Sequence, residues 1–106
     1  VIIDDGWHAS EHQQITFKTL WENVKPAGYF IIEDLHYQPI QETCTKTKEL
    51  FENWKNRNWI GTEYINLDEI QNIKKDIESI EFYDSKSERW GDSVKNAFVY
   101  IKKKTE

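Results

Sequence analysis

A chain of 106 residues is one domain or less. Its 14 Lys+Arg against 19 Asp+Glu leave a net charge of −5, which argues against nucleic-acid binding driven by phosphate neutralisation. A hydrophobic fraction of 38% can build a core, whereas 31% charged residues leave no run long enough to span a bilayer, so neither a nucleic acid nor a membrane is an expected partner.

The single cysteine, Cys44, rules out an internal disulfide and a multi-cysteine zinc site, which fits a reducing, cytoplasmic setting. The chain opens on Val1-Ile2-Ile3, a β-branched run suited to a strand buried on both faces of a parallel sheet. Such strands rarely begin a domain, so the expectation is the C-terminal part of a longer protein. Phe17, Leu20, Trp21 and Val24 then form one helical stripe, with Ser10 and Gln13 at capping-box spacing and Pro26 and Gly28 beyond its end. Tyr29 to Ile32 reads as a second apolar strand, completing one βαβ unit. Pro39 is expected to open another helix carrying Ile40, Cys44, Leu50, Phe51 and Trp54, with Cys44 on its apolar side as a small buried hydrophobe. Asn66 with Glu69 resembles the cap of a short helix bearing Leu67, Ile70, Ile73 and Ile77. Strands are expected at Ile80 to Tyr83 and Ala97 to Ile101, joined by a polar stretch containing Gly91. Trp59 and Trp90 lie in polar loops, where they read first as packing residues and second as the lining of a sugar pocket or a subunit contact.

Chemistry concentrates after the two apolar strands: Asp4, Asp5 and His8 follow the first, and Glu33, Asp34 and His36 the second. Taken singly these are turn and helix-start residues. Consecutive parallel strands of a βαβ unit end on the same side of a sheet, however, and in open α/β sheets that carboxyl edge binds ligands. Crowded carboxylates there call for a compensating cation, and hard oxygen donors suit Mg²⁺, with Mn²⁺ and Ca²⁺ as alternatives.

The segment Val1-Ile2-Ile3-Asp4-Asp5-Gly6-Trp7-His8 is followed by His12-Gln13, Thr16-Phe17, Leu20-Trp21, Lys25-Pro26-Ala27-Gly28-Tyr29 and Ile32-Glu33-Asp34-Leu35-His36. Together they resemble class I S-adenosylmethionine-dependent methyltransferases, most closely the metal-dependent sugar O-methyltransferases of macrolide biosynthesis and the cephalosporin-hydroxylase-like group. The resemblance implies an α/β fold: the C-terminal half of a Rossmann-like doubly wound sheet, strands 4-5-7-6 with the last strand antiparallel. Residues 1–106 would then be a partial methyltransferase domain lacking the N-terminal donor-binding half. It further implies Asp5, Glu33 and Asp34 as Mg²⁺ ligands, His8 as the catalytic base and Asp4 as a contact to the S-adenosylmethionine cofactor. Trp7 stands where the family usually has Ser, and Ala27 replaces a common turn glycine.

The implied activity is methyl transfer to a hydroxyl of a sugar or another small hydroxylated acceptor, with this chain alone inactive. His12 and His36 are candidates for substrate contact, although each reads first as an ordinary polar residue. Alternatives on the same fold are a non-catalytic metal-binding or interaction module and a cephalosporin-hydroxylase-like protein. The acceptor, its regiospecificity and any homo-oligomer stay open at this point.

Overall fold

The computed structural model describes residues 1–4, 9–33, 35, 44–86 and 93–105. Its elements are β1 (Ile2–Asp4), α1 (Ser10–Leu20), a 3₁₀ turn (Trp21–Asn23), β2 (Tyr29–Ile32), α2 (Thr47–Lys55), α3 (Leu67–Lys74), β3 (Ile77–Lys86) and β4 (Ser93–Lys103). The fold is α/β: the four strands form one mixed sheet in the order β1-β2-β4-β3. β1 and β2 are parallel, with Ile2 opposite Phe30 and Asp4 opposite Ile32, and β4 runs antiparallel to both β2 and β3.

Alternation along the strands decides where the core sits. Phe30 and Ile32 of β2, Val99 and Ile101 of β4, and Ile80 of β3 join one buried cluster with Phe17 of α1, Leu50, Phe51 and Trp54 of α2, and Ile70 and Ile73 of α3. All three helices therefore cover the same face of the sheet. Phe17 is the hub, its ring 5.2 Å from both Phe30 and Phe51, 5.3 Å from Trp21 and 6.1 Å from Trp54. Edge-to-face pairs of this kind add roughly 0.5–1.5 kcal/mol each beyond the area they bury. Among the described residues no helix is long and apolar enough to cross a membrane.

Several sequence expectations are corrected. β1 is an edge strand of the described sheet, so Ile2 packs on the core while Ile3, on the face without helices, is 53% exposed. Ser10 does not cap its own helix; Ala9 holds the N-cap position, and Ser10 Oγ accepts the Thr47 N–H at 3.0 Å. The second helix starts at Thr47, leaving Cys44 in a half-buried bend outside it; Pro39 and Ile40 lie outside the described residues. Leu67 opens α3 but stays exposed, because the inward stripe passes through Ile70 and Ile73. Ile77 belongs to β3 instead, and both C-terminal strands are about twice as long as their apolar centres. Trp90 lies outside the described residues.

Candidate functional site

Parallel pairing of β1 with β2 brings the first two acids of the candidate site together. Asp4 is the last residue of β1, and Glu33 follows directly on β2. The Glu33 N–H donates to the Asp4 carbonyl at 3.3 Å, continuing the ladder one step past Ile32. Both residues are half-buried, and Oδ2 of Asp4 is shut off from solvent. Asp4 alternates with Ile3, so it lies on the helix-bearing face with Ile2 and beside Ile32. The backbones of two acidic residues thus adjoin at the carboxyl edge of adjacent parallel strands, the edge at which open α/β sheets bind ligands. Asp5, His8, Asp34 and His36 lie outside the described residues. Among the described residues no group of three or more His, Cys, Asp or Glu side chains is spaced to hold a metal. His12 is exposed on α1.

Between α1, residues 44–47 and the loop before α3 lies a polar network that periodicity does not reveal. Gln14, buried on α1, donates to the Thr45 carbonyl at 2.7 Å and accepts from the Thr62 hydroxyl at 2.7 Å. Thr62 Oγ1 in turn accepts the N–H groups of Tyr64 and Ile65. Glu63 grips Thr45 twice, accepting its N–H at 2.7 Å and its hydroxyl at 3.1 Å. The Thr45 N–H bond is the chief reason that the Glu63 carboxyl titrates below the ordinary value. Removal from water, followed by a hydrogen bond with Cys44, pushes the Tyr64 hydroxyl up to about 12. With Ser10 holding the Thr47 N–H, these contacts fix residues 44–47 against α1 and against the loop before α3. Ser10, Gln14 and Thr47 are buried, and leaving one of their bonds unmade would cost roughly 1–3 kcal/mol, which holds the junction together; the Thr45–Glu63 bonds at its rim are exposed. The one sequence signal was the Gln13-Gln14 pair beside the apolar stripe, both now buried.

A 35-residue stretch covering 33% of the chain is similar to curated O-methyltransferases. It is 49% identical to the 8-demethyl-8-(2-methoxy-alpha-L-rhamnosyl)-tetracenomycin-C 3'-O-methyltransferase of Streptomyces olivaceus. It is 46% identical to the demethylmacrocin O-methyltransferase of Streptomyces fradiae. A third relative, at 43%, is the 8-demethyl-8-alpha-L-rhamnosyl tetracenomycin-C 2'-O-methyltransferase of Streptomyces olivaceus. The matched stretch covers 9% of each relative's length. No protein-family model matches the chain, and no solved structure matches it. The similarity relates this third of the chain to O-methyltransferases.

Proposed function

We propose that this chain is the C-terminal part of an S-adenosylmethionine-dependent O-methyltransferase that acts on a hydroxyl of a sugar or a sugar-bearing small molecule with the help of Mg²⁺. The observation that carries the reading is the 43–49% identity, over 35 residues, to three relatives named as O-methyltransferases, two of them for rhamnosyl acceptors. The observed order β1-β2-β4-β3, with β4 antiparallel, supports it as the counterpart of strands 4-5-7-6 in that fold.

The donor set fits a hard cation: Glu33 stands at the carboxyl edge beside Asp4, and Asp5 and Asp34 are their immediate neighbours in the chain. In this reading Asp5, Glu33 and Asp34 hold the metal, while Asp4 contacts the methyl donor. When bound, S-adenosylmethionine supplies an electrophilic methyl group and Mg²⁺ a charge that stabilises an alkoxide. His8 accepts the proton of the acceptor hydroxyl on an imidazole nitrogen, a task suited to a group titrating near neutral pH.

The test uses the complete enzyme with S-adenosylmethionine and a rhamnosyl acceptor. His8→Ala is expected to lower turnover by about 10²–10⁴-fold with Mg²⁺ affinity unchanged. Glu33→Gln should weaken Mg²⁺ in titration calorimetry together with turnover. Equal loss of metal affinity in both variants would overturn the division of roles, and absence of methyl transfer by the unaltered enzyme to any glycosylated acceptor would overturn the function.

A further inference from the structure

A groove of about 390 Å³ runs along the outer edge of β3, on the far side of β4 from the strands β1 and β2 that carry Asp4 and Glu33. It touches five consecutive residues, from Ile77 through Glu81. Successive side chains of a strand point to opposite faces, so a hollow meeting all five follows the strand's edge, where backbone donors and acceptors are open. Its other wall is the end of α2 and the loop after it, with Trp54, Lys55, Arg57 and Trp59. Beyond Lys55 a second hollow of about 210 Å³ continues toward Phe82.

That loop is built to a fixed shape. The Trp54 indole N–H donates to the Ile60 carbonyl at 3.0 Å, and the Asn58 N–H and side-chain amide both bond to Asn53, at 2.9 and 2.8 Å. Arg57 is held in the left-handed region at φ 63°, a conformation that costs a non-glycine residue roughly 1–2 kcal/mol. That conformation closes α2: the Arg57 N–H donates to the Trp54 carbonyl and the Asn58 N–H to the Asn53 carbonyl, a Schellman cap that leaves the Arg57 side chain exposed at the end of the helix. The guanidinium of Arg57 has no ion-pair partner among the described residues, whereas Lys55 is engaged by Glu81 at 3.3 Å and Glu78 by Lys102 at 3.0 Å. Trp59 is half-buried, its ring 5.5 Å from that of Trp54, which is itself buried.

We propose that this groove binds a pyranoside, its apolar C–H face on the Trp59 indole and its polar rim toward Arg57, Ser79 and the open edge of β3. Three features select this ligand class. A half-buried indole on the groove wall suits a ring that is apolar on one side and ringed by hydroxyls; among the described residues the other aromatic lining the groove, Trp54, is buried and offers no second face to sandwich a flat nucleobase. An added peptide strand would need a regular edge, but the ladder shifts register between Ile77 and Ser79, and the charges of Glu78 and Glu81 blunt the edge further. The groove's volume lies within the range of small-molecule sites, and the free guanidinium adds a bidentate donor for a carboxylate or a vicinal diol.

Titration of the ¹⁵N-labelled chain with methyl β-D-glucopyranoside and methyl β-D-glucuronide, followed at the Trp59 indole N–H resonance, tests the site. Saturable shifts with dissociation constants on the order of millimolar are expected for both sugars, tighter for the glucuronide. Trp59→Ala should abolish binding. Because Trp59 also packs on Trp54, Arg57→Gly provides a second variant that keeps the left-handed turn without strain; it should weaken the glucuronide at least fivefold and remove its advantage over the glucoside. A Trp59 resonance unmoved by either sugar at tens of millimolar overturns the proposal, as does wild-type affinity in either variant. The groove lies apart from the acidic edge, so this outcome and that of the methyl-transfer assay are independent.

Discussion

At the scale of single residues, the backbone records where side-chain choice and conformation disagree. Pro26 and Ala27 occupy the two central positions of a turn closed by the Gly28 N–H donating to the Lys25 carbonyl at 2.8 Å. Ala27 has φ 64°, the left-handed value that the third position of a type II turn demands and that glycine supplies without strain. Gly28, by contrast, is required by closeness, since a Cβ there would come within 2.8 Å of the Lys25 carbonyl oxygen. Ala27→Gly should therefore stabilise the chain by about 1 kcal/mol, a rise in melting temperature of about 4–8 °C for a domain of this size. Unchanged or lower stability in thermal denaturation would mean that the Ala27 N–H bond to the Lys104 carbonyl, at 3.2 Å, depends on the methyl group's restriction of the turn. Ser10 gives the converse lesson. Its spacing to Gln13 reads as a local cap, but its hydroxyl serves the first N–H of α2, a partner 37 residues away that no local pattern encodes.

Among the elements, α3 is the one whose start was written in full. Asn66 Oδ1 accepts the Glu69 N–H at 2.8 Å and Glu69 Oε1 accepts the Asn66 N–H at 3.0 Å, a complete capping box. The Asn66 N–H, helped by Lys18 at 3.1 Å, holds the Glu69 carboxyl below its ordinary value. A depressed carboxylate contributes stability that is present above its unfolded pKa and lost as pH falls through the folded one. Asn66→Ala is expected to cost about 1 kcal/mol at neutral pH. The stability advantage of the wild type over Glu69→Gln should shrink as chemical denaturation is repeated at pH values below the ordinary carboxylate range; a constant difference would show that the ion contributes nothing. β2 was equally legible, because Tyr29 to Ile32 is a short apolar run ended by Gly28 and Glu33. The ends of β3 and β4 were not. Glu78 and Asp84 flank the expected Ile80 to Tyr83, exposed on an edge strand, and their polarity reads as loop although they extend β3 beside β4. The early start expected for α2 failed for a related reason: Thr45 satisfies its backbone C=O and N–H through Gln14 and Glu63, side-chain contacts that replace helical hydrogen bonds.

For the whole molecule, the sheet and its one-sided helical layer determine what the chain can do. Apolar periodicity located Phe17, Trp21, Phe51 and Trp54, and it is the convergence of the other three on Phe17, itself packed on Phe30, that fixes α1 and α2 over β2. The parallel pairing of β1 and β2 places Asp4 beside Glu33, but the rest of the proposed metal set lies outside the described residues. A methyl-donor site in an open α/β sheet needs a glycine-rich strand-to-helix loop whose backbone can approach the ligand closely. The chain has four glycines, Gly6, Gly28, Gly61 and Gly91, none within twenty residues of another, so no such loop is formed from these 106 residues. Titration calorimetry of S-adenosylmethionine into the chain by itself should accordingly give no micromolar binding, whereas under the proposed function a longer protein that contains it should bind the donor in that range. Binding heat that saturates at micromolar donor with the isolated chain would mean that Asp4 and its neighbours complete a donor site unaided, and the proposed division of the fold between this chain and a preceding donor-binding half would fail.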